Sequence, residues 1–233
     1  MTAAEHCWAG ALRALRHPGP PPPGLVGPAV VLLVLCLAVV VVLIWLGHVW
    51  YDRPHRFFAE RRIGTYLSAA NLLGTAALSW RTARSLRPAP FARFWSLAAV
   101  GFVWLAADEL FALHEDIDRG VHAVLGLDPE HPVTDHLDDV ILASYGVAAI
   151  ALAHRYRADL GRLAWMQVIL LAGFALFTVM VVADFLNWPK ALEEGIKVVA
   201  GTVILLGFLA ARLQLAQPGA ASPPTLTPAG RFR

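Results

Sequence analysis

Carboxylates and imidazoles are concentrated in one short stretch of the chain. Ten of the 17 acidic residues and four of the nine histidines lie between Asp108 and Asp139. Asp184, Glu193 and Glu194 follow at the boundaries of two later apolar segments. Carboxylates and imidazoles that converge from several helices form metal sites in helical bundles, and the same groups serve as general acids and bases. The pattern therefore indicates metal binding or proton transfer.

The composition places these groups in a membrane protein. Of the 233 residues, 58% are hydrophobic and only 15% are charged, and the mean hydropathy is +0.58. Soluble domains average about 45–50% apolar and about 25% charged residues. A disordered chain and an ordinary cytosolic enzyme are therefore excluded. The two cysteines, Cys7 and Cys36, do not form a disulfide framework.

Six apolar stretches are about as long as a helix must be to cross a bilayer, which is about 20 residues. They cover approximately residues 28–49, 63–83, 93–115, 136–154, 163–184 and 189–212. We therefore expect an all-α, polytopic membrane protein that folds as a compact bundle of about six transmembrane helices over residues 28–213. Residues 1–27 are predicted to form a cytoplasmic tail with a polyproline spacer, and residues 214–233 a disordered cytoplasmic tail.

The distribution of lysine and arginine predicts the orientation. With the N-terminus inside, twelve of the 19 basic residues fall on the cytoplasmic side, as the positive-inside rule requires. The carboxylates then meet at the outer face of a plasma membrane of bacterial type. The first outer loop departs from the rule with four arginines, which either neutralise this acidic face or hold an anionic lipid headgroup. They are Arg53, Arg56, Arg61 and Arg62.

The helix dipole divides the acidic residues into two groups. Near predicted helix N-termini, where carboxylates are favoured, lie Asp135, Asp138, Asp139, Glu193 and Glu194. Near predicted C-termini, where they are disfavoured, lie Asp108, Glu109, Glu115, Asp116 and Asp184. Asp108 and Glu109 are also about 9 Å deeper than Glu115 at the helical rise. An uncompensated charge at such depth costs at least about 2.5–3.5 kcal/mol, so a metal ion, bound protons or a partner cation must offset it.

A metal site is the leading hypothesis. On a continuous third helix Asp108 and Glu115 share one stripe, and on the fourth helix His136 and Asp139 share a face. The candidate ligands are Asp108, His114, Glu115, His136, Asp139 and Asp184, with zinc as the first choice of divalent metal. Glu109 is the candidate general base. This set predicts a metal-dependent hydrolase or lipid-modifying enzyme that activates water beside a lipid amide or ester at the outer leaflet.

Two other classes of function use the same residues. A proton- or cation-coupled transporter would use the carboxylates as an ion path, although no internal repeat is visible in the chain. A non-catalytic membrane subunit would use the polar end to dock a partner. The zinc-protease motif H-E-x-x-H is absent, because the sequence after His114-Glu115 continues Asp-Ile-Asp.

Overall fold

The computed structural model describes residues 19–58, 62–126, 137–186 and 188–217. Within these ranges 83% of the residues are helical and none forms a strand, which confirms the all-α prediction. The helices there are α1 (Val26–Tyr51), α2 (Ile63–Leu86), α3 (Ala92–Phe111), α4 (Leu113–Leu125), α5 (Leu137–Arg155), α6 (Arg157–Leu160), α7 (Ala164–Phe185) and α8 (Lys190–Leu215).

Six of these helices coincide with the six predicted spans. By length and composition α1, α3, α7 and α8 can cross a membrane, and these four helices indicate a membrane protein. That α2 and α5 also cross it, that both termini are cytoplasmic, and that the tails end at residues 27 and 214 all stay predictions. Residues 1–18 and 218–233 lie outside the described part of the chain.

The third predicted span differs from the structure at its C-terminal end. A continuous helix to Glu115 was expected, but α3 ends at Phe111 and Ala112 adopts a left-handed conformation with φ 52° and ψ 48°. A separate helix, α4, begins at Leu113 and ends before Gly126, which is also left-handed. The prediction that Asp108 and Glu115 share one stripe of a helix is therefore wrong, because the two residues belong to different helices.

The core of the bundle lies where α2, α3, α7 and α8 meet. The α2–α3 and α7–α8 pairs pack most extensively, and α2 also packs along α8. Trp95 is fully buried, and its ring meets Phe208 of α8 edge to face with the centroids 5.7 Å apart. A smaller cluster brings α1 and α8 together at the opposite end through Val40, Leu43, Phe58 and Val198.

The buried face of α2 is polar, yet its hydroxyl groups are satisfied within the helix. Thr75 donates to the carbonyl of Asn71, Ser79 to that of Thr75, and Thr82 to that of Leu78, each at 2.8 Å. Small side chains allow neighbouring helices to approach closely. This explains how a helix of modest hydropathy occupies the middle of the bundle.

One side-chain hydrogen-bond network joins three helices in the bundle interior. Asn71 of α2 donates to the hydroxyl of Thr202 at 3.0 Å and to the carbonyl of Val198 at 3.2 Å, both on α8. The Thr202 hydroxyl also lies 3.2 Å from Cys36 Sγ of α1. The network fixes the position of α8, which carries part of the candidate site.

Candidate functional site

The turn at Ala112 brings the carboxylate of Asp108 to the start of α4. The Ala112 N–H donates to the Asp108 carbonyl at 2.7 Å and ends α3. The His114 N–H then donates to Asp108 Oδ1 at 2.8 Å. Asp108 therefore satisfies a free N–H group in the first turn of α4, where the helix dipole favours a negative charge.

The turn at Ala112 also changes the position of Glu115 and Asp116 relative to the helix dipole. Glu115 and Asp116 were expected at a helix C-terminus, but they lie in the first turn of α4. The dipole thus favours both carboxylates. Arg119, one turn further along α4, pairs with both, at 3.6 Å from Glu115 and in a closer contact with Asp116. Neither carboxylate requires a metal ion for compensation.

Asp108 also orients the imidazole of His114. Its second oxygen, Oδ2, lies 3.0 Å from His114 Nδ1, and the Asp108 side chain is only 4% exposed. Because a carboxylate accepts and does not donate, this contact places a proton on Nδ1. Nε2 is left to bind a metal ion or to exchange a proton.

The charge of Glu109 is balanced by Lys197, a partner that was not predicted from the sequence. Lys197 of α8 lies 3.0 Å from Glu109 and 3.3 Å from Glu194, and all three side chains are at least three-quarters buried. Of the three possible forms of compensation, the structure provides Glu109 with a partner cation. The role of Glu109 as a general base stays a prediction.

The first turn of α8 holds a second ion pair beside the one at Lys197. Glu193, in the first turn of α8, lies 3.7 Å from Lys190. Lys197 forms an ion pair with Glu194, three residues before it. Glu193 is buried, with 7% exposure. Glu194 belongs to an ion-paired cluster with Glu109 and Lys197, whereas Glu193 pairs with Lys190.

A second carboxylate–histidine pair lies on α4. His122 is 3% exposed, and its Nδ1 lies 2.9 Å from Asp118 Oδ1. Its Nε2 has no hydrogen-bond partner among the described residues. This pair was not predicted from the sequence, although a spacing of four residues on a helix is a signal for it.

The remaining metal candidates cannot be placed as side chains. His136 and the side chains of Asp139 and Asp184 lie outside the described residues, although the backbone puts position 139 in the first turn of α5 and position 184 near the end of α7. Among the side chains that are described, no group of three or more metal-ligating residues converges. The metal set therefore stays a prediction, with Asp108 and His114 brought into contact.

The arginines of the first loop are described in part. Arg61 lies outside the described residues, and Arg53, Arg56 and Arg62 have no ion pair with a described carboxylate. Arg56 lies over the ring of Tyr51, with 5.0 Å to the centroid. The loop folds closely onto α1, since a Cβ on Gly47 would lie 2.7 Å from the Arg53 carbonyl oxygen. Neutralisation of the acidic face by these arginines stays a prediction.

Comparison with known proteins identifies the family. Residues 31–212 match a family described as a domain of unknown function, DUF8692. No curated protein and no solved structure matches the chain. The matched region begins in α1 and ends in α8, and it includes the Asp108–His114 pair and the ion-paired cluster. Since this is well over half of the sequence, the chain belongs to the DUF8692 family.

Proposed function

We propose that this protein is a multi-pass membrane hydrolase that binds a divalent metal ion, zinc first, through His114. The reaction centre lies at the bundle end formed by α3, α4 and α8, at the outer leaflet of a plasma membrane of bacterial type. The substrate class is a lipid amide or ester. The observation that supports this is the buried Asp108 carboxylate held on Nδ1 of His114, the arrangement in which metal-ligating histidines are oriented and made more basic.

The role of Asp108 changes in this proposal. Both of its oxygens accept from His114, so Asp108 positions the ligand and does not itself bind the metal. His114 Nε2 is then the first ligand, and His136, Asp139 and Asp184 are the candidates for the others. A bound zinc ion would supply activated water at neutral pH.

The protein's own residues supply the surroundings of the reaction. Glu109, held 3.0 Å from Lys197, remains the candidate proton acceptor. Arg53, Arg56, Arg61 and Arg62 are proposed to bind the anionic headgroup of a lipid substrate, because guanidinium groups match phosphate oxygens in pairs.

The direct test measures metal in detergent-purified full-length protein. We expect zinc in the wild type and none above background in His114→Ala. Asp108→Asn keeps an oxygen for the His114 N–H but loses the acceptor for Nδ1, and it should weaken zinc binding about 10- to 100-fold. The matched control is Asp116→Asn, which removes an exposed carboxylate of α4, the helix that carries His114. Equal zinc contents in wild type and His114→Ala would overturn the proposal.

A second candidate function is cation- or proton-coupled transport. The supporting observation is Lys197, which lies between Glu109 and Glu194 on two different helices. Such largely buried ion pairs mark ion paths in membrane proteins. This function predicts pH-dependent flux in sealed proteoliposomes that is lost in Lys197→Gln, with no zinc bound by the wild type.

A further inference from the structure

α4 has three distinct sides along its length. His114, Asp118 and His122 recur every four residues and lie half-buried or buried toward the protein. Asp116 and Arg119 project into solvent, with side chains 61% and 62% exposed. The third side carries aliphatic residues: Ile117 is 43% exposed and Val124 is 84% exposed. The most apolar side of the helix therefore faces away from the bundle.

α4 is joined through a single residue to α3, a helix long and apolar enough to span a membrane. α3 ends one residue before α4, at Phe111, which is 61% exposed. Earlier in α3, Val100 and Val103 are 65% and 51% exposed, as expected of side chains in contact with lipid tails. Only Ala112 separates the exposed Phe111 of α3 from the first residue of α4, so exposed apolar side chains continue along the chain from α3 into α4.

We infer that α4 is an interfacial helix that lies in the headgroup region of the outer leaflet, with Ile117 and Val124 inserted among the acyl chains. The occupant of the apolar side is the lipid bilayer. Amphipathic helices with one apolar side bind in this way and insert it about 5–10 Å. The inference does not depend on metal binding or on hydrolysis.

The charges of α4 favour lipid of a particular kind. Glu115, Asp116 and Asp118 outnumber Arg119, so the helix has no attraction for an anionic surface. Binding rests on the aliphatic side chains and on the covalent link to α3. A zwitterionic leaflet is therefore sufficient, and phosphatidylcholine is the appropriate probe.

The experiment places a nitroxide label on α4 of the full-length protein in phosphatidylcholine vesicles. Single cysteines replace Ile117, Val124 or Asp116 in a chain carrying Cys7→Ala and Cys36→Ala. Collision of each label with oxygen, which partitions into lipid, is compared with collision of a water-soluble nickel complex. We expect the logarithm of the oxygen-to-nickel ratio to be positive at positions 117 and 124 and negative at position 116.

Three results would overturn the inference. The first is a negative value at both 117 and 124, which would place that side of the helix in water. The second is shielding of the two positions from both reagents, which would mean that protein covers them. The third is dipolar broadening between labels at position 124 of two chains, which would identify a second copy of the protein as the occupant.

Discussion

Asp108 and Glu109 are adjacent carboxylates whose charges are compensated in different ways. Asp108 accepts from the backbone and the ring of His114, so the dipole of α4 and two N–H groups stabilise it. Glu109 projects toward α8 and meets the ammonium group of Lys197. One residue of separation along α3 is enough to aim the two side chains at different helices. Only the first of them belongs to the proposed metal site.

Replacement of Lys197 by methionine tests the second form of compensation. Lys197→Met leaves Glu109 and Glu194 without their cation, and each of these side chains is less than a quarter exposed. We expect the free energy of unfolding in detergent micelles, measured by titration with a denaturing detergent, to fall by about 3 kcal/mol. Glu109→Gln added to Lys197→Met should restore part of this loss.

Lys190→Met provides the control for the loss of a lysine from the same helix. The Lys190 side chain is 68% exposed and lies 3.7 Å from the buried Glu193, so its removal should lower the free energy of unfolding by about 1 kcal/mol, less than the loss in Lys197→Met. Equal losses in the two variants would contradict a special role for the buried ion pair.

At the scale of elements, the break between α3 and α4 decides the chemistry of the site. Without it Asp108 would face the negative end of its own helix, and His114 could not donate to it across the turn. At the break Ala112 adopts a left-handed backbone conformation, which costs an L-residue about 1–2 kcal/mol. Glycine adopts this conformation freely.

The substitution Ala112→Gly gives opposite results for a turn and for a continuous helix. At the left-handed turn glycine should raise the free energy of unfolding by about 0.5–1 kcal/mol. In an uninterrupted helix it should lower it by about 1 kcal/mol. Ala107→Gly, inside α3, is the matched control and should be destabilising. Denaturing titration of the three proteins in one detergent distinguishes the two cases.

The hydrogen bonds of Asn71 between α2 and α8 should contribute measurably to stability. Asn71→Leu removes both hydrogen bonds to α8, and we expect a loss of about 1 kcal/mol, the usual size for such bonds in membranes. Thr202→Val tests the partner. In a double-mutant cycle the combined variant should lose less than the sum of the two single losses, whereas simple additivity would contradict direct coupling.

The sequence predicted the helices of this site but not the contacts between them. Hydropathy and length locate α3 and α8 because each helix carries its own apolar pattern. The break at Ala112 was missed because alanine is the strongest helix former and the apolar period continues through it. The pairing of Glu109 with Lys197 was missed because it depends on the placement of α8 beside α3, which no local pattern determines. Charge compensation is a tertiary property, so it became visible only with the packing.

At the scale of the whole molecule, the two ends of the bundle differ in charge and in packing. One end holds the aromatic core around Trp95 and Phe208, and the arginines of the α2–α3 connection and of α5–α6 lie there. The other end holds the Asp108–His114 pair and the cluster around Lys197. From this difference in charge the positive-inside rule predicts that the arginine-rich end lies in the cytoplasm.

Labelling of single cysteines in intact cells tests this orientation. Asp116→Cys and Lys190→Cys lie at the acidic end, and Arg155→Cys and Ala158→Cys lie at the arginine-rich end, all on exposed positions. With Cys7 and Cys36 replaced by alanine, a membrane-impermeant maleimide should label positions 116 and 190 in intact cells. Positions 155 and 158 should react only after permeabilisation, because the bilayer separates the two ends. The reverse pattern would turn the polar site toward the cytoplasm and move any lipid substrate to the inner leaflet, while labelling of all four positions in intact cells would contradict a membrane-spanning bundle altogether.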